Sequence, residues 1–287
     1  MKSKVFFSRE ITPEKVVELY RLTGKELPGK VAVKVHSGEE GNQNFLRPDF
    51  WKPMVEHVRG TVVECNTAYD GARNTTPKHI ELIRKHGWSA YFDFDLLDAE
   101  GPDMELPIPQ GHQIKKNFIG KNTANYDSML VLSHFKGHPM GGFGGAIKQL
   151  SIGVASSYGK KYIHGAGSTE NYFETEQNKF LESMADAAWS VVDYFKGNMV
   201  FVNVMKNLSV DCDCCAVAED PCMKDIGVLA SLDPIAIDQA CLDLIYASKD
   251  RGRDHFVERV ESRNGVHTIE AAAELGFGSR EYELIEV

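Results

Sequence analysis

The 287-residue chain is 43% hydrophobic and carries 32 Lys and Arg against 41 Asp and Glu, a formal net charge of -9. A chain of this size can bury a large core without disulfides, and its negative charge opposes non-specific binding to nucleic acid or to anionic membranes. No apolar run approaches the roughly 18 residues of a membrane span, and the apolar stretch at 5–7 is shorter than the roughly 7 to 15 residues of a signal peptide. We therefore expect a cytoplasmic protein without nucleic-acid or membrane partners.

Short β-branched or apolar runs alternate with longer amphipathic segments, which is typical of an α/β protein with a mostly parallel central sheet and helices on both faces. Strands are predicted at 31–36, 61–65, 89–94, 129–133, 199–204 and 226–230. Helices are predicted at 13–22, 48–59, 77–86, 175–195, 234–248 and 268–275, and the Gly- and Ser-rich stretch 156–169 as a loop. We expect one α/β unit over residues 1–287, with two lobes, 1–125 and 126–287, as an alternative.

Five predicted strands are each followed at once by an unusual polar segment: HSGEEGN, NTAYDGARNT, SHFKGHPMGGFGGAIKQL, NVMKNLSVDCDCC and SLDPIAID. The strands of a parallel sheet share one carboxyl-end edge, and ligands of α/β proteins bind in crevices beyond that edge. We therefore expect the five segments to converge on one site.

The third of these segments, residues 133–150, contains two histidines, two lysines and five glycines. His134 and His138 are candidate metal ligands, and the glycines, among them Gly141 and Gly144, allow the backbone to approach a ligand closely. Backbone N–H groups near the lysines would then hold an anion. The spacing is not that of a Walker loop, and a structural turn that leads into a helix is the alternative.

The fourth segment is dense in thiols, with Cys212, Cys214 and Cys215 inside four residues. Deprotonated thiols are soft ligands for zinc or iron, but neighbouring carboxylates oppose their ionisation unless a cation is present. With Cys222 the spacing is C-x-C-C-x6-C, which matches neither paired zinc motifs nor the ferredoxin run. A loop of small residues with one buried thiol is the alternative.

The first two segments add further candidates. His36 and Glu39 are candidates for proton transfer, and Lys34 precedes them on the strand. Asn66 and Arg73 suit recognition of a small anionic group, because Arg presents a planar fork to carboxylate or phosphate. For each of these residues a solvated surface loop is the alternative.

The fifth segment begins a helix at Asp233-Pro234, which accounts for its first aspartate. Asp238 lies about one turn later, and a role at the helix start accounts only in part for an aspartate at this position. It is a candidate partner for a cationic side chain or for a metal.

These blocks, from GKVAVKVHSGEEGNQNFLRPDF to IGVLASLDPIAIDQA, together resemble the domain-of-unknown-function family numbered 362 over about residues 30–247. Its members are often named uncharacterised iron-sulfur centre proteins. The resemblance implies a prokaryotic, cytoplasmic α/β protein and, in many members, an inserted ferredoxin-like module with two CxxCxxCxxxCP runs. Residues 156–182, where that module would fall, contain no cysteine. We therefore expect no [4Fe-4S] cluster of the ferredoxin type.

The resemblance also implies one shared edge of polar residues. It consists of Lys34, His36, Asn66, His134, Lys136, His138, Lys148, Asn203, Asp211, Cys212, Cys214 and Asp238.

The first functional hypothesis is a metal-assisted enzyme that acts on a small anionic molecule. A single zinc or iron ion would be held by some of His134, His138, Cys212, Cys214 and Asp238. The catalytic candidates are Lys136, Lys148, His36 and Glu39, and the substrate-binding candidates are Lys34, Asn66, Arg73, Gly141, Gly144 and Asn203. The alternatives are a non-catalytic accessory protein that carries a ligand or metal, and a structural role in an assembly such as a homodimer.

Overall fold

The computed structural model describes residues 2–101 and 103–287. Its strands are β1 (Ser3–Ser8), β2 (Val31–Lys34), β3 (Thr61–Glu64), β4 (Phe94–Leu96), β5 (Met104–Pro107), β6 (Lys116–Ile119), β7 (Ser128–His134), β8 (Lys136–His138), β9 (Gly142–Gly144), β10 (Met199–Met205), β11 (Gly227–Ser231) and β12 (Tyr282–Glu286). Eight of them form one sheet in the order β12-β1-β11-β10-β7-β2-β3-β4. The pairs β5/β6 and β8/β9 form two small antiparallel sheets apart from it.

The helices are α1 (Pro13–Leu22), α2 (Pro48–Val58), α3 (Thr76–Lys85), α4 (Ala146–Val154), α5 (Ser157–His164), α6 (Gln177–Phe195), α7 (Pro234–Ala247), α8 (Arg253–Ser262) and α9 (Val266–Glu274). All six predicted helices are present, with ends within two residues of the predicted ones. Helix α5 falls in the stretch that was predicted to be a loop, so that prediction is wrong for its first half. Among the described residues, no helix combines the length and the apolar character needed to cross a bilayer.

Five of the six predicted strands are also present, with small differences at their ends. The strand predicted at 89–94 is wrong, because a 3-10 turn at Trp88–Ala90 occupies its start and β4 begins only at Phe94. Six strands were not predicted: β1 and β12, which pair with each other in parallel at one side of the sheet, and the four strands of the two small sheets. The division into lobes near residue 125 stays a prediction.

The sheet is buried on both faces, which confirms the predicted layering. Along β7, Met129 and Val131 pack into the cluster formed with α4, α6 and α7, whereas Leu130 and Leu132 pack into the cluster formed with α1 and α2. This alternation follows from the two-residue period of a strand. Each such side chain contributes roughly 1.5 to 3 kcal/mol when it is fully buried.

The direction of β11 corrects one expectation. Strands β2, β3, β4, β7 and β10 are parallel, but β11 pairs antiparallel with β10, and Ser231 lies opposite Phe201. The connection 206–226 contains no helix, and an antiparallel neighbour needs no helical crossover. The segment SLDPIAID therefore leaves the sheet at the opposite edge, and only four of the five polar segments share the carboxyl-end edge.

The side chain of Asp238 is buried and binds the start of a neighbouring helix. Its carboxylate accepts hydrogen bonds from the backbone N–H groups of Ala146 (2.7 Å) and Ile147 (2.9 Å) and from the side-chain amide of Asn203 (2.7 Å). Asp238 on α7 thus satisfies the N-terminus of α4, where a negative group is favourable. Burial raises the pKa of Asp238 to about 6, although these hydrogen bonds act in the opposite direction. The candidate roles of Asp238 as a metal ligand and of Asn203 in substrate binding do not fit these positions.

This geometry makes Asp238 important for stability. We expect Asp238→Ala to lower the free energy of unfolding by about 2 kcal/mol or more, because it removes a helix cap and leaves buried N–H donors without a partner. Urea denaturation followed by circular dichroism measures this loss. Asp193→Ala is the control, because Asp193 is an exposed aspartate on α6 and its loss should change stability by less than about 0.5 kcal/mol. Equal effects of the two substitutions would contradict the capping role.

Candidate metal and anion site

Four polar segments meet beyond the carboxyl ends of β2, β3, β7 and β10. The side-chain amide of Asn42 donates to the carbonyl of Cys215 at 2.8 Å, which joins the first segment to the cysteine loop. The hydroxyl of Tyr69 donates to the carbonyl of Cys214 at 3.2 Å, which joins the second segment to the same loop. The prediction of a common site is thus confirmed for these four segments.

Asp213 fixes the cysteine loop against the third segment. Its carboxylate accepts hydrogen bonds from His134 Nδ1 at 2.9 Å and from Lys136 Nζ at 2.8 Å. Burial alone would raise the pKa of Asp213, but the charges of His134 and Lys136 hold it well below its usual range. His134 also donates from Nε2 to the carbonyl of Lys206, so both ring nitrogens are occupied and the ring has none free for a metal. Lys136 is likewise held by Asp213 and does not line the cavity described below.

A group of three donors lies next to this ion pair. One ligand atom each from His138, Cys212 and Cys214 falls within 4.8 Å of the others, a spacing that can hold a metal ion. His138 ends β8, and β8 approaches the cysteine loop closely because position 137 is a glycine. A Cβ atom at Gly137 would lie 2.3 Å from the carbonyl oxygen of Val210, which no real side chain tolerates.

The two thiols differ in ionisation. Lys148 Nζ lies 3.5 Å from Cys212 Sγ. Burial alone would raise the pKa of Cys212, but the hydrogen bond from Cys214 and the charges of Lys148 and Lys136 hold it well below its usual range. The same hydrogen bond raises the pKa of Cys214. The surroundings therefore favour ionisation of the pair at Cys212, next to Lys148.

The ring of His138 has a defined tautomer. Its Nδ1 accepts hydrogen bonds from the backbone N–H groups of Met140 (3.1 Å) and Gly141 (2.8 Å). Burial, and then the charge of Lys148, lower the pKa of His138 to about 4, so the ring is neutral. A neutral ring that accepts at Nδ1 carries its proton on Nε2, which faces Cys214 Sγ at 3.7 Å. A metal can bind only an unprotonated Nε2, so binding would require loss of this proton to give an imidazolate, or its transfer to Nδ1 with loss of the two backbone hydrogen bonds.

The donor group opens on a cavity of about 280 Å³. His138, Cys214 and Lys148 belong both to the surroundings of the donor group and to the cavity wall. The wall also carries three further cationic side chains and a single carboxylate. These are Lys34, Arg73, Lys160 and Glu64. The charge of the wall favours an anionic ligand.

Arg73 and Glu39 neutralise each other rather than face a ligand. Buried Arg73 donates to Glu39 at 3.2 Å, to Glu64 at 3.0 Å and to the hydroxyl of Tyr69 at 2.8 Å. Arg73 lines the cavity, but its guanidinium group is already hydrogen-bonded within the protein. Glu39 does not line the cavity. The predicted role of Glu39 in proton transfer does not fit this arrangement.

Three other candidates lie outside the cavity wall. Asn66 donates to the hydroxyl of Thr76 and faces His79 with its carbonyl oxygen, so its side chain is used in packing. The backbone N–H of Gly141 donates to Nδ1 of His138, as described above, and is not free for an anion. Gly144 pairs with Lys136 in the hairpin of β8 and β9. The expected backbone cradle for an anion is therefore not formed by these glycines.

His36 and Lys34 face the cavity as predicted. His36 Nδ1 accepts the backbone N–H of Gly38 at 3.0 Å, and burial followed by the charge of Arg73 lowers its pKa well below the usual value. Lys34 is 1% exposed, and burial lowers its pKa to about 8. Lys34 can therefore exchange a proton near neutral pH.

Apart from Lys148 on α4, the residues that α4 and α5 contribute to the wall were not predicted. Gln149 and Ile152 come from α4, and Lys160 and His164 come from α5. One signal for α5 was present, because the side chain of Ser156 caps this helix by accepting from the N–H of Gly159 at 2.9 Å.

One protein-family model matches most of the chain. A model described as "Domain of unknown function (DUF362)" matches residues 31–243. The chain belongs to this family. The match ends within α7, so this DUF362 protein carries α8, α9 and β12 beyond it. No curated protein matches the chain.

Two solved structures resemble this DUF362 protein distantly. The lactate racemase apoprotein from Thermoanaerobacterium thermosaccharolyticum is 15% identical, with a TM-score of 0.42, over 69% of this chain and 50% of its own. A structural-genomics target from Thermotoga maritima is 11% identical, with a TM-score of 0.45, over 92% of this chain and 59% of its own. The chain thus spans between half and three fifths of the length of these proteins.

The buried amine of Lys34 gives a pH prediction. The pKa is about 8 in the folded protein and 10.5 for an ordinary lysine, so the unfolded chain binds more protons between these values and stability rises with pH. Lys34→Met removes this effect. Its stability advantage over the wild type should therefore shrink by about 2 kcal/mol between about pH 8 and 9.5, as measured by urea denaturation. Other groups near Lys34, such as Glu64, Cys65, Arg73 and Lys160, are common to both proteins.

The control for this prediction is Lys179→Met, because Lys179 is exposed on α6. Its stability should follow the wild type at every pH. Parallel pH profiles for Lys34→Met and the wild type would contradict a lowered pKa of Lys34.

Proposed function

We propose that this protein is a metal-assisted enzyme that acts on a small anionic molecule. One observation carries the proposal: a three-donor group and a cavity rich in cationic side chains share His138, Cys214 and Lys148. A ligand in the cavity would therefore meet both the metal and the cations. Because Lys34 and Lys160 in the cavity wall have no carboxylate oxygen within 4.0 Å among the described residues, the ligand would be an anion.

The donor set fits a zinc or iron(II) ion. Two sulfur donors and one imidazole are soft to borderline ligands, which suit these metals better than magnesium or calcium. Catalytic zinc sites commonly use three protein ligands and keep one position for water or substrate. When bound, the metal would polarise an oxygen of the substrate or lower the pKa of a bound water.

The remaining roles belong to side chains of the cavity wall. Lys148, which is close to Cys212, would balance the charge of the thiolates and attract the anion. Lys34 would accept or donate a proton, because its pKa of about 8 lies near neutral pH. The neutral ring of His36 is the second candidate for proton transfer.

One observation favours a second candidate, a non-catalytic protein that carries a metal or an anion. The carboxylates of Glu39 and Glu64 are held by Arg73, and Lys136 is held by Asp213. Few groups are therefore free to move protons. Turnover separates the two candidates, because a carrier would bind metal and anion without changing either.

The metal site gives a direct prediction. Protein without a histidine tag, reconstituted with zinc or iron(II), should hold about one equivalent by elemental analysis. Cys212→Ala and Cys214→Ala should each weaken zinc binding by about a hundredfold or more in a chelator competition, because each removes a ligand. Cys222→Ala is the matched control, because its thiol bonds to the carbonyl of Leu208 away from the donor group. Less than roughly 0.2 equivalents after reconstitution would rule out the metal site.

Catalysis is tested by incubating metal-loaded protein with a pool of small organic anions and following it by mass spectrometry. We expect one anion to be consumed by the wild type and not by Cys214→Ala. Binding of metal without any consumption would favour the carrier instead.

A further inference from the structure

Two buried lysines of the cavity wall have no acidic partner. Lys34 is 1% exposed and Lys160 is 7% exposed. Lys34 Nζ donates to the carbonyl of Val35 and, at 3.3 Å, to the side-chain oxygen of Gln149, whereas Lys160 Nζ donates to the carbonyl of Ala155 at 2.6 Å. Within residues 2–101 and 103–287, neither ammonium group has a carboxylate oxygen within 4.0 Å. Both ammonium groups therefore hydrogen-bond to neutral oxygens, and the carboxylates of Glu64 and Asp103 act on Lys34 and Lys160 only from beyond 4.0 Å.

The rest of the cavity does not supply the missing negative charge. The carboxylate of Glu64 is already used, with one oxygen 3.0 Å from Arg73 and the other 3.1 Å from His79. A buried charge without a partner costs several kcal/mol. Ala155 lies at the C-terminal end of α4, but a helix end offers only about half an elementary charge against two lysines. An anion in the cavity would balance the remainder.

A glycine in α4 leaves room for the side chains of Lys34 and Gln149. A Cβ atom at Gly153 would lie 3.1 Å from Lys34 Nζ and 2.7 Å from the side-chain oxygen of Gln149. The glycine therefore lets both polar groups sit directly against the helix. Apolar side chains complete the same cavity, with Ile152 on α4 and Phe173, which is 51% exposed, in the segment after α5.

We propose that Lys34 and Lys160 form a carboxylate-binding subsite, and that its ligand is a short organic acid whose hydrocarbon part contacts Met140, Ile152 and Phe173. The apolar side chains favour an organic acid over an inorganic anion, because burial of a hydrocarbon chain adds about 0.8 kcal/mol per methylene in general. The inference rests on the proposed function for the assignment of this cavity as the substrate site. It does not require the metal.

Isothermal titration of metal-free protein at low ionic strength, with acetate, butyrate and hexanoate as probes, tests the subsite. Affinity should rise with chain length. Lys34→Met and Lys160→Met should each weaken hexanoate binding by about tenfold to a hundredfold, because each removes a charge-assisted hydrogen bond. Lys160→Arg keeps the charge and should retain more affinity than Lys160→Met. Lys179→Met, at an exposed lysine, should bind as the wild type does.

The outcomes are separable from those of the metal proposal. Cys212→Ala should lose zinc binding and keep hexanoate binding, whereas Lys160→Met should do the reverse. Unchanged hexanoate affinity in folded Lys34→Met and Lys160→Met would show that the lysines only neutralise the end of α4, and would overturn the subsite. Inorganic phosphate that binds more tightly than hexanoate, without dependence on chain length, would overturn the organic-acid class.

Discussion

The buried interaction of Asp213 with His134 and Lys136 holds the candidate site together. Asp213 stands between Cys212 and Cys214 in the sequence, so the direction of its side chain fixes the backbone that presents both thiols. Burial of a carboxylate costs free energy unless hydrogen-bond donors replace the lost water. His134 and Lys136 are these donors for Asp213. The loop contains no helix or strand of its own, so this interaction and hydrogen bonds such as that from the Gly137 N–H to the carbonyl of Ser209 at 2.8 Å hold it against β8.

Helix α4 connects the two halves of the site. Asp238 satisfies its N-terminus, Lys148 near its start faces Cys212, and its C-terminal end lies against Lys34 and Lys160. The helix therefore sets the separation between the thiols and the buried lysines. Asp238 on α7 therefore matters for the geometry without touching any ligand, because it fixes the start of α4.

The sequence predicted the elements better than their directions. Apolar runs identify β2, β3, β7 and β10 because strands buried on both faces read as continuous hydrophobic segments, and the polar segments after them do meet. Hydrophobic periodicity carries no information about strand direction, so the reversal of β11 was not visible. Helix α5 was missed because Gly- and Ser-rich stretches usually indicate loops, although Ser156 is a good helix cap.

The roles of the candidate site residues could also be predicted only in part. His138, Cys212 and Cys214 come together as the sequence suggested, but the same residue types also serve structure. Asp238 caps a helix, and Arg73 and Glu39 pair with each other. Residue type and spacing do not distinguish these uses, because the choice depends on which partner the fold brings within hydrogen-bonding distance.

The burial of Cys212 also bears on the chemical durability of the site. Cys212 has no exposed surface, whereas Cys214 lines the cavity and is partly exposed. Thiolates are the forms of cysteine that peroxides attack, and the attack requires access. Cys214, which lines the cavity, is therefore the sulfur atom that a peroxide in the cavity would meet first. A molecule that fills the cavity would shield Cys214 from oxidative damage.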